Sequence, residues 1–251
     1  MRTTSDDVLP TTVSEDFNAL ATSSALTQNA PPPRYREGVR LPQLDAGTDE
    51  LTSWRAVLAL EFDGVYAETG SRAYANTQAE LQFTLLGNQR RVVLTADGNL
   101  LGQAAPVTTE GVRLGQDTFA VRDGVCTVTT GSPSAEIADV RAADVLGGVT
   151  FATPDGTKAV INGASVWRFG FTQADLALPN LQIGADGRVL DSRGELWFAP
   201  DYAAAVRFYL TLDVENATVL GSTTPVIGTL IMRYDLYDIG IPQNISVPFG
   251  C

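Results

Sequence analysis

The side chains of this chain that could act on a substrate are carboxylates, tyrosines, serines with the single lysine Lys158, and two cysteines; histidine is absent from all 251 positions. That absence removes Ser-His-Asp and Cys-His catalysis and the usual imidazole metal sites. Paired-carboxylate, Ser-Lys and tyrosine chemistry remain open to it. The densest run of such groups is Tyr234-Asp235-Leu236-Tyr237-Asp238. Alternation puts Asp235 on the polar side of a strand, and an acid–base enzyme would need a partner acid that the sequence does not supply. Asp235 therefore reads as part of a solvated face; replacing Asp235 or Glu195 would test an enzyme reading, and no catalytic residue is assigned. Asp97-Gly98-Asn99 and Asp186-Gly187-Arg188 with Asp191 lack the alternating oxygen ligands and distal Glu of a calcium loop, so they read as turns. No metal or cofactor is expected.

Cys126 stands in the strand-like run VCTVTT and Cys251 is the final residue. In an oxidising compartment the simplest outcome is a bond between them. It would close a loop of roughly 125 residues and add about 4–5 kcal/mol in the chain-entropy account. Two unrelated thiols, one buried and one exposed, are the alternative. No run approaches the length of a membrane span, and Met1 is not followed by a charged and then an apolar stretch. Taken literally this points to the cytoplasm; a chain whose export segment has been removed fits the cysteines better.

Seventeen basic against twenty-nine acidic residues give a net charge of −12, which makes nucleic acid a poor partner. With 44% apolar content the chain can bury a substantial core. The elements that would position any site are mostly strands. From WRAVLALEFDG, residues Trp54, Ala56, Leu58, Leu60 and Phe62 share one face, and from TQAELQFTLLG so do Ala79, Leu81, Phe83 and Leu85. RRVVLTA, DTFAVRD and VCTVTT follow, the last two joined at Asp123-Gly124, a type I′ hairpin signal. A second hairpin turns at Asn162-Gly163, and its outgoing strand carries Trp167, Phe169 and Phe171. A Gly- and Asp-rich loop is expected from Gly184 to Arg193, before three closing strands. In these, Val206, Phe208, Leu210, Leu212 and Val214 oppose Arg207, Thr211 and Asp213, and Leu230, Met232, Tyr234 and Leu236 oppose Thr229, Arg233 and Asp235.

Helical periodicity is clear once, in SPSAEIADVRAADVLGG, where Ser132 and Pro133 suit the start and Gly147-Gly148 the end. TDELTS from Thr48 and the Thr172/Asp175 pair suggest single capped turns. Residues 1–47, rich in Thr, Ser, Ala and Pro with a triple proline at 31–33, read as an extension. It is either a tether or an arm that docks on a partner or on its own domain. A short helix over 14–28, capped by Ser14 with Phe17, Leu20 and Ala21 on one face, fits within it. The globular part is expected over 48–251. About ten antiparallel strands with two or three short helices make a mainly β fold. Its one large sheet must curl into an open or half β-barrel with the helices on its concave side.

The order of SWRAVLALEFDG, GQDTFAVRDGVCTV, INGASVWRFGF, GELWFAPDYAAAVRFYLTL and MRYDLYDIGIPQNISVP, over residues 48–250, resembles the bacterial LolA/LppX/LprG lipoprotein-carrier family. That resemblance implies an unclosed antiparallel barrel over helices around an apolar cavity. It further implies an extracytoplasmic, non-enzymatic protein that holds a lipid, acyl chain or lipoprotein, whose one link to a membrane is a lipid anchor upstream. Alternation gives Leu58, Leu60, Phe62, Leu81, Phe83, Trp167, Phe169, Phe208, Leu210 and Met232 as the residues to line such a cavity. The same ten residues also suit a filled core, and periodicity leaves both open. The alternative function is a structural subunit of a cell-surface or periplasmic assembly that docks a protein partner through the N-terminal arm.

Overall fold

The computed structural model describes residues 30–128 and 132–251. The strands are β1 (Val39–Leu41), β2 (Ser53–Tyr66), β3 (Arg72–Thr84), β4 (Gln89–Gly98), β5 (Gln103–Leu114), β6 (Asp117–Arg122) and β7 (Val125–Val128). Two short helices follow, α1 (Ser132–Ala138) and α2 (Ala142–Leu146). After them come β8 (Gly148–Ile161), β9 (Ala164–Gly170), β10 (Leu176–Ala177), β11 (Leu181–Ala199), β12 (Ala204–Val219) and β13 (Val226–Tyr237).

Among the described residues these strands form one sheet in the order β1-β8-β9-β11-β12-β13-β2-β3-β4-β5-β6-β7, with β10 on the side of β8. Every described pairing is antiparallel. The sheet is not closed, since β1 and β7 remain edges. Two hairpins form at the turn residues that favour positive φ: Asp123 (52°) with Gly124 (75°), and Asn162 (51°) with Gly163 (84°).

Register explains the core. Directly paired residues share a face, so the row Phe169, Leu196, Phe208, Tyr234, Leu58 and Ala79 runs across six strands on one side. A parallel row runs through Leu212, Leu230, Phe62 and Ala75, and a third through Leu81, Val92 and Gly111. Both helices lie over this face. Leu146 and Ala142 of α2 join the core, while α1 packs on β5 and β6 above Gly111. A side chain at Gly111 would meet the Ile137 side chain at 2.6 Å and the Ala138 backbone at 2.7 Å, so only glycine lets α1 approach so closely.

Four places differ from the sequence reading. The helical stretch is two helices, broken at 139–141, and the start at Ser132 and Pro133 lies outside the described side chains, as the segment 14–28 lies outside the described residues. Gly184 to Arg193 is not a loop but the irregular part of β11, with register shifts between Ile183 and Arg188 and between Val189 and Asp191. Val206 faces the opposite way from Phe208, because Trp197 pairs with Arg207 and Phe198 with Ala205, a bulge that absorbs one residue and turns Val206 over. Val206 thereby joins Ala164, Val166, Trp197 and Ala199 in a small second cluster on the outer face, against Ile161 and Ile239. Strand pairing also begins before Thr48. β1 pairs with β8, Tyr35 lies edge-on to Phe198 at 4.9 Å, and Leu44 is fully buried.

The C-terminal residues form a strap. Gly240 N–H donates to Ser53 C=O, and Gln243 exchanges hydrogen bonds with the Thr84 hydroxyl (3.1 and 3.3 Å). Residues 244–249 then cross over Gln82, Arg91 and Glu110, whose side chains lie on the outer face. Cys251 reaches Cys126 on the edge strand β7 and is joined to it by a disulfide.

Candidate functional site

The ten residues selected by alternation gather on the concave face. Leu58, Leu60 and Phe62 come from β2, Leu81 and Phe83 from β3, Trp167 and Phe169 from β9, Phe208 and Leu210 from β12, and Met232 from β13. All ten belong to one contiguous apolar cluster, nine of them buried and Phe83 partly so. Its rings pack in pairs, Trp54 on Phe83 at 5.8 Å and Phe171 on Phe208 at 5.7 Å. Tyr234 brings a polar tip into this face. Its hydroxyl is buried without a hydrogen-bond partner among the described residues, and burial, then the charge of Asp45, raises its pKa.

The concave core meets the surface at the β10–β11–β12 end. There Leu176, Leu178, Leu181, Ile183, Val189 and Leu212, with Gln173, line an open cleft of about 180 Å³. Leu212 is its link to the interior, being fully buried and a member of the row Leu212, Leu230, Phe62. Leu176, Leu178, Leu181 and Val189 pack against the same core. Local structure holds the rim: the Thr172 N–H and hydroxyl both donate to Asp175 (2.9 and 2.7 Å), fixing the one-turn helix that carries Gln173. Of these lining residues the sequence reading placed only Leu212 on the dry face. Leu181, Ile183 and Val189 sit where glycines and bulges hide alternation.

Asp235 is on the outer face, as its position in the alternation requires, but it is buried rather than solvated. Arg207 Nε (2.7 Å), Tyr209 OH (2.6 Å) and Asn162 Nδ2 (3.4 Å) all donate to its carboxylate. Asn162 belongs to the turn of the β8–β9 hairpin and also donates to Leu236 C=O (3.0 Å), so the network ties that hairpin to β13. Every oxygen of this carboxylate is engaged in holding structure, which leaves no free base. Glu195 pairs with Tyr209 in the ladder, next to the strand position whose hydroxyl is bound to Asp235. Asn99, in a run read as a turn, accepts from Tyr74 N–H (2.8 Å) and donates to Arg72 C=O (2.7 Å). Arg188 pairs with Glu215, and Arg193 with Asp191.

Burial and the bond to Asp235 push the Tyr209 phenol from its ordinary 10 up to about 12. A phenol that holds its proton more tightly in the fold contributes stability in full below the unfolded pKa and loses it as pH rises through the folded one. Stability is therefore expected to fall between pH 10 and 12. Melting temperatures across that window check this: Tyr209→Phe should remove part of the fall, and identical slopes in the two proteins would exclude Tyr209 as its source.

No protein-family model matches the chain, and no curated protein matches it. Among solved structures it is similar to LprF from Mycobacterium bovis, with 18% identity over 87% of this chain and 99% of that one and a TM-score of 0.37. A LolA superfamily protein from Nitrosomonas europaea shares 11% identity over 82% and 95%, with a TM-score of 0.25. A DUF1329 family protein from Desulfovibrio piger shares 8% over 77% and 89%, with a TM-score of 0.26. The second bears the LolA name that the sequence resemblance carries. Overlaps this low decide nothing about ligand or activity. What the chain itself defines is an open antiparallel sheet with an apolar concave face and an apolar cleft leading to it.

Proposed function

We propose that this protein is a non-enzymatic, extracytoplasmic binder of a hydrophobic ligand, which enters tail first at the β10–β11–β12 cleft. The observation that carries the reading is Leu212: one residue is both the floor of an open apolar cleft and part of the buried concave row. An apolar tail laid there removes its surface from water at roughly 25 cal/mol per Å² and meets no charge. Size narrows the ligand. About 180 Å³ lies below the roughly 300–1,000 Å³ of sites for drug-sized molecules, so the cleft takes the end of one slim chain rather than a whole two-tailed lipid. The Cys126–Cys251 bond supports a place outside the reducing cytosol. Residues 30–47 pack on the chain's own sheet, which favours the binder over a subunit that offers this stretch as a free arm.

Titration with a fluorescent fatty acid tests the cleft. Leu181→Asp places a charge on an apolar wall and is expected to weaken binding by about tenfold or more, since even a poorly solvated carboxylate costs more than about 1.4 kcal/mol. Leu190→Asp changes an exposed position on the same strand and should leave affinity unchanged. Equal affinity in Leu181→Asp and the parent protein would remove the cleft from the reading.

A further inference from the structure

The charges of this protein are unevenly matched, and among the described residues the mismatch is concentrated at one edge of the sheet, with Lys158 on the Trp167 side of it and Arg40 on the other. Of its seventeen basic residues sixteen lie among the described residues, and eleven of these, from Arg55 to Arg233, have a carboxylate within ion-pair distance. The remaining five are Arg34, Arg36, Arg40, Arg90 and Lys158. Arg90 is largely buried and donates to Val140 C=O. The other four are exposed, and they sit together at the β1–β8–β9 edge.

Two clefts bring them together on either side of the β11–β12 turn. One, of about 300 Å³, is lined by Arg36, Lys158, Trp167, Pro200 and Asp201 among others. The next, of about 430 Å³, is lined by Arg34, Arg40, Tyr35, Phe198 and Ala203 among others. Three of the four cations rest on aromatic rings instead of acids: Arg34 on Tyr35 (5.4 Å), Arg40 on Phe151 (5.6 Å) and Lys158 on Trp167 (5.6 Å). Ring contact holds a cation in place without cancelling its charge. The fourth, Arg36, donates its Nε to Pro31 C=O, which leaves the charge equally unopposed. Among the described residues, the acids nearby, Glu37 and Asp201, form no ion pair with them.

We infer that the sheet edge carrying Arg34, Arg36, Arg40 and Lys158 docks this protein, edge-on, on an anionic lipid surface. Cations backed by partly exposed rings, Phe151 and Tyr35 among them, are what a headgroup layer accepts: charge meets phosphate while the rings sit at the polar–apolar boundary. A chain of net charge −12 is repelled by such a surface overall, so attachment must be local and oriented by this edge. The inference goes beyond ligand binding at the β10–β11–β12 cleft and does not depend on it.

Sedimentation of the full chain with phosphatidylcholine vesicles, with and without phosphatidylglycerol, tests it. Binding is expected only with phosphatidylglycerol present, and it should weaken at high salt. The fourfold change Arg34→Gln, Arg36→Gln, Arg40→Gln and Lys158→Gln is expected to lower vesicle partition roughly 600-fold, from about fivefold for each cation at an anionic surface. Two pairwise variants, Arg34→Gln with Arg40→Gln and Arg36→Gln with Lys158→Gln, should each show an intermediate loss, which decides the matter if the fourfold protein folds poorly. Glutamine at the ion-paired Arg72, Arg122, Arg188 and Arg193 should leave binding intact. Three results would each overturn the inference: no binding to anionic vesicles, binding undiminished in the pairwise variants, or complete displacement by inorganic phosphate at constant ionic strength. The last would mean that the clefts hold a free anion instead of a membrane.

Discussion

Cys251→Ser is expected to lower the stability of the oxidised protein by about 4–5 kcal/mol, the chain-entropy value for a loop of this length. For a domain of this size that corresponds to a fall in melting temperature of roughly 10–20 °C. The bond ties the last residue of the strap to the sheet edge. The strap's other attachments among the described residues include the Gln243–Thr84 and Gly240–Ser53 hydrogen bonds and the burial of Ile245 and Pro248. Beyond them Cys251 alone ties the strap to β7, an edge strand with β6 as its single described partner. Cys126→Ser should therefore give the same loss, and the double replacement no further loss, because all three break the same covalent tie. Reducing agent should destabilise the parent protein to the level of the variants and leave the variants unchanged. A parent protein whose melting temperature ignores reduction would show that the bond does not restrain the fold.

Phe208→Ala is expected to cost about 3–5 kcal/mol, the range for emptying a buried phenylalanine site. Phe208 is fully buried in the row between Leu196 and Tyr234 and touches Phe171 at 5.7 Å. The surrounding sheet is held by ladders on both sides of β12, so the hole cannot close by a small shift of one strand. Denaturant unfolding should show the midpoint falling while the slope is unchanged. A loss below about 1 kcal/mol would mean that the concave face is loosely filled at its centre, against the packing described above.

How much of this was legible from residues alone varies along the chain. Strands β2, β3, β12 and β13 are readable because each has one dry face, so apolar residues recur every second position from Trp54 to Phe62 and from Phe208 to Val214. The hairpin turns at Asp123-Gly124 and Asn162-Gly163 are readable because positive φ restricts which residues serve. Val206 is not, since a bulge is set by how β11 and β12 align, and neither strand encodes that alone. Asp235 looks solvated in sequence because its partners Tyr209, Arg207 and Asn162 stand 26, 28 and 73 positions away. Likewise, Leu181, Ile183 and Val189 become a cleft wall only when β11 pairs with β12 around irregular turns, and the cationic edge exists only once β1 meets β8. Local periodicity reports which face of a strand is dry. It carries no information on which distant segment covers that face or leaves it open.

The most direct test of ligand binding is mass spectrometry of an organic extract of the protein purified from its own cells without detergent. The expected result is an apolar molecule with a slim acyl tail, present at a molar ratio near that of the protein and reduced in Leu181→Asp. An extract without such a molecule, from protein that also fails to take up a fatty acid, would contradict the reading of the β10–β11–β12 cleft as a ligand site.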